Sequence, residues 1–280
     1  VLRADIHASL RGHGEPLDAP MPYRNYVAQA RLGVSEAEHE AFFREMLGDV
    51  DEPTLPFGLQ RVHGDIEEAT QTLPNALSVR LRNQARVLGV SAASLFHLAW
   101  ARLLGAASGN DTVVFGTVLL GRMHAGDGAD RALGMFINTL PLRVDVGETG
   151  VRDGVKATHA RLTALLAHEH ASLALAQRCS GVAPALPLFS AMLNYRHSDS
   201  TLQQQTAWEG IEILASDERT NFPLTLSVDD LGEDFLLTAR TPAQIGAQRI
   251  GDSLRVALES LVHALEHTPQ RALNRLPILT

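Results

Sequence analysis

Two apolar segments that follow each other between residues 92 and 120 constrain the fold of this chain most strongly. Residues 92–104 are rich in Ala, Leu, Phe and Trp, which predicts a helix buried on most of its sides. Residues 112–120 are rich in Val, Phe and Leu, which is typical of a strand covered on both faces. Because neither segment has a polar side, both need other elements around them, and the chain must build a layered α/β core.

The surrounding patterns fit such a core. Helical periodicity covers residues 76–88, 151–168 and 244–266. A capping box, in which Glu38 follows Ser35 by three positions, predicts the start of another helix. The segments that favour strands are 135–146, 187–195, 210–215, 222–228 and 234–239, with a hairpin turn at 229–232. We therefore predict an α/β fold with a mixed sheet and flanking helices, not an array of repeats.

Charge and composition exclude several classes of partner. The chain carries 24 Lys and Arg against 32 Asp and Glu, and its basic residues form no cluster that could follow a phosphate backbone. No apolar run reaches the ~20 residues of a membrane helix, and the sequence begins without a signal-peptide pattern. The single cysteine, Cys179, rules out an internal disulfide framework. We therefore expect a cytoplasmic protein that binds neither nucleic acid nor a membrane.

The chain also carries signs of its domain organisation. Residues 49–58, which include Pro53 and Pro56, have the composition of a linker, and we expect a boundary between two lobes there. The sequence begins at Val1, without a methionine and inside a helical pattern. We expect from this beginning that the chain is a piece of a longer protein.

A search for generic catalytic and metal-binding motifs gives little evidence about function. The densest group among the twelve histidines is His168-Glu169-His170, but residues two apart on a helix do not share a face, and further ligands are not evident. A solvated helix end is the favoured interpretation, and we expect no metal site. Cys179 has His170 and His197 nearby in sequence, yet a lone cysteine after a helix is more often structural than nucleophilic. The sequence contains no His-Glu-x-x-His, no phosphate-binding loop and no Gly-x-Ser-x-Gly elbow.

A set of motifs in a fixed order is more informative. YRNYVAQ occupies 23–29, a strand-like segment at 113–122 ends in Gly-Arg, and GMFINTLPLR follows at 134–143. Further segments lie at 168–179 and, as LFSAMLNYRH, at 188–197. In this order they resemble the signature segments of condensation domains of nonribosomal peptide synthetases, including Tyr-x-x-Tyr and Gly-x-Phe-x-Asn-Thr-x-Pro-x-Arg. The resemblance covers essentially the whole chain.

The resemblance implies a two-layer sandwich similar to chloramphenicol acetyltransferase, in which two lobes form a V around a tunnel. Residues 1–52 would be the end of the N-terminal lobe, and residues 53–280 the C-terminal lobe. Donor and acceptor enter the tunnel on phosphopantetheine arms of two carrier-protein domains, and the acceptor amine attacks the donor thioester to form a peptide bond. Tethering of both reactants supplies much of the acceleration. The implied partners are these carrier proteins and an adenylation domain, with no cofactor bound directly by this chain.

One element of the family pattern is missing. The His-His-x-x-x-Asp-Gly motif, which carries the active-site histidine, is absent from these residues and by analogy would precede Val1. We therefore name no catalytic residue and expect the chain to be inactive alone. In the family the aspartate of that motif pairs with an arginine across the lobes, and the position of Arg122 suits this supporting role. The alternative is that Arg122 is a solvated loop residue.

Polar residues on apolar strands are the other candidates. Asn138 and Thr139 interrupt an apolar strand, and because buried polar groups need partners they either line the tunnel or satisfy a neighbouring backbone edge. Asn194 and Arg196 are similar candidates for the tunnel wall.

Two further functions remain open. An epimerisation domain shares the fold but works by proton transfer, and the Asn-Thr-Leu-Pro segment favours condensation over it. A non-catalytic module of this fold, which recruits partners or carrier proteins, is compatible with the missing histidine. If the chain lacks a lobe, we also expect an exposed apolar face and self-association.

Overall fold

The computed structural model describes Ile6, Ser9 and residues 22–121, 133–197 and 220–279. Within these ranges the chain forms one six-stranded mixed sheet with helices packed against it. The helices are α1 (Tyr23–Leu32), α2 (Glu36–Leu47), α3 (Asn75–Leu88), α4 (Ala92–Ser108), α5 (Val151–Leu166), α6 (Leu173–Arg178) and α7 (Ala247–His267). The strands are β1 (Ile66–Thr72), β2 (Thr112–Leu119), β3 (Asn138–Asp145), β4 (Ala191–His197), β5 (Leu224–Asp230) and β6 (Phe235–Pro242).

The helix layer is built on α4. Its Phe96 and Trp100 are fully buried, and it packs against α5, α7 and the strands β2, β3 and β4. Each such side chain contributes about 1.5–3 kcal/mol when it leaves water. The prediction of a helix buried on most of its sides is confirmed. Within the described ranges no single helix is long and apolar enough to cross a membrane, and only α3 and α4 together, bent by 108°, pass that test.

The sheet has the strand order β1-β6-β5-β4-β2-β3. β4 is parallel to both of its neighbours, β2 and β5, and the other pairs are antiparallel. The predicted hairpin is confirmed, since β5 and β6 pair directly across a turn in which Gly232 adopts φ 89°. Such a backbone conformation favours glycine. The segment at 210–215, expected as a strand, lies outside the described residues.

The linker at residues 49–58 contacts the sheet through Thr54, beside the short pairing of β2 and β4. These two strands pair only at Gly116 and Thr117 of β2. Beside that point the Thr54 hydroxyl accepts the Val114 N–H at 2.8 Å, and the Thr54 backbone bonds with residues on both sides of Phe189. Residue 54 therefore occupies the gap as a short additional bridge, which fixes part of the linker to the sheet.

Candidate functional site

The residues predicted for the site lie in different places. Arg122 is outside the described residues, so its pairing stays a prediction. Asn138 and Thr139 begin β3 at one edge of the sheet, whereas Asn194 and Arg196 lie on β4. Because β2 lies between these strands, the structure places the four residues on one sheet without joining them in a single cluster.

Asn138 holds a turn against the sheet. Its Nδ2 donates to the carbonyls of Glu169 and Ala171, both at 2.8 Å, and its Oδ1 accepts the Thr139 N–H at 3.0 Å. Both amide hydrogens are therefore used by backbone carbonyls of residues 167–171. Of the two roles considered for this residue, these contacts fit the satisfaction of a neighbouring backbone edge.

Thr139 borders Gly116 of β2, a position where a larger residue would be crowded. A Cβ on Gly116 would approach Thr139 Cγ2 to 2.9 Å and Phe189 Cε2 to 2.7 Å, which is closer than real contacts allow. Phe189 in turn stacks on Phe222, with ring centroids 5.5 Å apart. The glycine of β2 thus lets the Phe189 ring approach the backbone of the sheet closely beside Thr139.

Asn194 and Arg196 share the sheet face that points away from the helix layer. Tyr195, between them, packs on Phe96 of α4, and strand residues alternate between faces. Arg196 forms a bidentate ion pair with Asp229 of β5, with both nitrogen–oxygen distances at 2.8 Å. A bidentate pair fixes the plane of the guanidinium group, so Arg196 presents a defined polar surface.

This open face contains a cavity of about 270 Å³. A second ion pair, between Glu68 and Arg240, lies at its β1–β6 side. The wall consists of hydroxyl, amide and paired charged groups and one thioether, from four strands and from Thr220, which precedes β5. The lining residues are Glu68, Met192, Asn194, Arg196, Thr220, Thr225, Ser227, Thr238 and Arg240. A surface of this kind can bind a polar chain through several hydrogen bonds.

The opposite face of the same strands holds a buried carboxylate. Asp230 accepts from Arg82 of α3 at 2.6 Å and from the Tyr195 hydroxyl at 2.7 Å. Burial acts to raise the pKa of this carboxyl, but the bonds from Arg82 and Tyr195 outweigh it, and the pKa lies below its usual value. Burial, together with Asp230, raises the pKa of Tyr195. This network joins the helix layer to β4 and β5.

The histidines at 168 and 170 do not form a solvated helix end, so that interpretation was wrong. Glu169 between them is buried, and His168 meets His39 of α2, with their Nδ1 atoms 2.9 Å apart. Phe42 stacks on the His168 ring at a centroid distance of 4.0 Å. The sequence does not reveal His39 as the partner of His168, because the two residues are 129 positions apart and His39 belongs to no motif.

Cys179 is buried, and burial raises the pKa of its thiol. Its Sγ lies 3.7 Å from the carbonyl of Glu40, a contact with backbone and not with a base. These features fit the structural role expected of it. Among the described residues, no group of three or more His, Cys, Asp or Glu side chains is arranged to hold a metal ion.

Solved structures share this architecture. The first condensation domain of the calcium-dependent antibiotic synthetase, in complex with a substrate analogue, matches with TM-score 0.71 over 98% of this chain and 63% of that one, at 16% identity. The X-domain in its complex with OxyB from teicoplanin biosynthesis matches with TM-score 0.72 over 99% of this chain and 66% of that one, at 17% identity. The protein thus has the α/β sandwich fold of the chloramphenicol acetyltransferase class, and the predicted fold class is confirmed.

The sequence comparisons identify the family within that class. The family model described as Condensation domain matches residues 4–269. Malpinin synthetase of Mortierella alpina is 52% identical over 282 residues, which cover 100% of this chain. This chain belongs to the condensation-domain family, and the resemblance found in its motifs is confirmed. It spans 4% to 5% of the length of the synthetases that match it at 50% identity or more.

Proposed function

We propose that this chain is the end of the N-terminal lobe (residues 1–52) and the C-terminal lobe (residues 53–280) of a condensation domain. Its synthetase would form a peptide bond between two substrates held as thioesters on carrier-protein domains. Family membership supports the reaction class. The ordered motifs from residue 23 to residue 197 support the position of the chain within the domain.

The observation that carries this proposal is the polar open face of the sheet. Asn194 and Arg196, predicted from their motif, both line its cavity of about 270 Å³. The phosphopantetheine arm of a carrier protein is a flexible chain with amide groups, and hydroxyl and amide side chains can hydrogen-bond to it. Asn194 would bind the arm directly, and Arg196 would shape the wall through its pair with Asp229.

The other end of the proposed tunnel wall is the start of β3. Thr139 would contribute its hydroxyl there, while Asn138 would act by holding the turn at 167–171 in place. Arg122 would support the active site by pairing with the aspartate of the histidine motif. If Arg122 is buried in the complete domain, it would be costly without that carboxylate, and both halves of the domain would then be needed.

The chain on its own would not catalyse the reaction. The sequence contains no His-His-x-x-x-Asp-Gly motif, so the group expected to act at the reacting amine is not among these residues. The implied partners are the donor and acceptor carrier proteins and a neighbouring adenylation domain, and the implied location is the cytoplasm. No cofactor would bind this chain directly, because phosphopantetheine arrives attached to the carriers.

The test uses the complete condensation domain of the synthetase with both carrier proteins loaded. We expect Asn194→Ala to slow single-turnover peptide formation about tenfold, the effect of one hydrogen bond to the reacting chain. Asn83→Ala is the matched control, since Asn83 is an exposed residue of α3 bonded only to Arg86 among the described residues. The control should keep the wild-type rate.

Two results would overturn this proposal. An unchanged rate in Asn194→Ala would show that the cavity takes no part in the reaction. A product that differs from the donor only in the configuration of its α-carbon, with no new amide, would identify an epimerisation domain instead.

A further inference from the structure

A histidine pair joins α2 to the turn at residues 167–171. The Nδ1 atoms of His39 and His168 are 2.9 Å apart, which is hydrogen-bonding distance, and the two rings meet edge to face at 67°. Phe42 covers the His168 ring from the α2 side with an interplanar angle of 12°. The contact connects segments that are 129 residues apart in the sequence, and it is partly buried.

The hydrogen bond between His39 and His168 can form only when at least one of the two rings is neutral. A hydrogen bond between two imidazole nitrogens needs a hydrogen on one nitrogen and a free lone pair on the other. The pair meets that condition when both rings are neutral, and also when one ring carries an extra proton. When both rings are imidazolium, each Nδ1 carries a hydrogen, the bond is lost and two positive charges face each other.

The neighbouring groups act in opposite directions. On α2, Glu36 and Glu38 favour the charged form of His39, whereas burial, His168 and His170 disfavour it. Burial lowers the pKa of His168 as well, against the attraction of Glu38. Among the described residues, the other charged or titratable groups at His168 and His170 are Glu169, beside His170 in the turn, and Tyr26 of α1, which reaches the His170 Nδ1.

The balance sets the direction of the pH dependence. The folded pKa values of His39 and His168 both lie below the ordinary value of histidine. The unfolded or opened state therefore binds more protons than the closed state as the pH falls below about 6.5. The closed contact is fully stable above that pH and weakens below it.

We propose that His39 and His168 form a pH-sensitive latch, which holds the N-terminal half of α2 on the turn and releases it when both rings are protonated. The turn itself stays on β3, because the bonds from Asn138 involve no titrating group. The C-terminal half of α2 also stays in place, because Phe43 and Leu47 are fully buried in the core. The moving part is therefore residues 36–40. The latch depends on contacts within this chain and not on the proposed catalytic role.

Hydrogen exchange of this chain at pH 7.5 and 5.5, corrected for intrinsic rates, tests the latch. We expect the opening of residues 36–40 to increase about tenfold at the lower pH, relative to the opening of α7 in the same sample. His168→Gln retains a hydrogen-bonding side chain that does not titrate, and it should remove most of this increase. His263→Gln changes an exposed histidine on α7 and should leave the increase intact.

The same increase in His168→Gln, or no increase in the wild type, would overturn the latch. If His168→Gln fails to fold, a second measurement on the wild type tests the same proposal. Proton NMR of the wild type should show His39 and His168 titrating as a coupled pair, with the second proton bound well below pH 6.5. Two independent titrations at the ordinary histidine value would contradict the proposal.

Discussion

Two arginines on α3, Arg80 and Arg82, form ion pairs that differ in how far they are buried. Arg82 bonds Asp230, whose side chain is 5% exposed, and its guanidinium lies 4.0 Å over the Phe235 ring. Arg80 also forms an ion pair, with Glu266, but that pair is more exposed to solvent. Loss of a partner is costly only where the remaining charge is buried, because an exposed charge is solvated by water.

We therefore predict that Arg82→Met lowers the free energy of unfolding by about 2–3 kcal/mol. Arg80→Met should lower it by less than about 1 kcal/mol. Urea denaturation at pH 7.5 measures both. Equal costs for the two variants would show that Asp230 is not an important buried partner.

His97 makes the stability of the whole chain depend on pH. Its Nε2 lies 2.8 Å from the Thr117 hydroxyl, and its Nδ1 donates to the Ala93 carbonyl. Burial lowers its pKa to about 4, against a smaller opposite effect of the bond to Ala93. The unfolded state takes up this proton near pH 6.5 and the folded state does not, so stability decreases as the pH falls from about 6.5 to 4.

The expected loss in the free energy of unfolding over that range is about 3 kcal/mol. Urea denaturation at several pH values measures it. His97→Gln should remove its share of the dependence and leave the share of His39 and His168, whereas His263→Gln, at an exposed position, should keep all of it. An unchanged dependence in His97→Gln would assign it to other groups.

At this scale the sequence indicates polar residues along one strand but not contacts between distant segments. Asn194 and Arg196 were named as polar residues on an apolar strand, and both line the cavity on the open face, while their role in the tunnel stays a prediction. His39 could not be found, because its partner lies 129 positions away and only the folded chain brings them together. The expected solvation of His168 failed for the same reason, since local spacing does not show what a distant helix covers.

At the scale of elements, β2 and β4 meet through a glycine. Gly116 faces Phe189 and Thr139 so closely that a methyl group would have to displace both of them. We predict that Gly116→Ala lowers the free energy of unfolding by about 1–3 kcal/mol through this overpacking. In the background of Phe189→Leu the same substitution should cost clearly less, and a double-mutant cycle of denaturation curves measures the difference. Additive costs would show that Phe189 is not the obstacle.

The elements most visible in the sequence were the buried ones. The apolar composition of 92–104 predicted α4, and the capping box of Ser35 and Glu38 is present at the start of α2. β1 was missed because it is a polar edge strand, IEEATQT, in which exposure alternates without a row of apolar residues. Its pairing with β6 comes from tertiary structure and not from local pattern.

For the whole molecule, a row of exposed apolar residues lies near the facing ends of β2 and β3. Met135 is 80% exposed and Ile137 61%, with Leu120 and Leu133 nearby in the sequence. Such a surface favours association in water. We predict concentration-dependent self-association of the isolated chain by sedimentation velocity, reduced in the Met135→Ser, Ile137→Ser double variant. A clean monomer at high concentration would contradict this expectation.

We propose that this chain supplies a wall of the tunnel but not the catalytic histidine. The most direct test measures peptide formation from loaded donor and acceptor carriers, with the isolated chain and with the complete condensation domain that contains it. We expect amide product from the complete domain and none above background from the chain alone. Amide product from the chain alone would contradict it and would place the catalysis within these 280 residues.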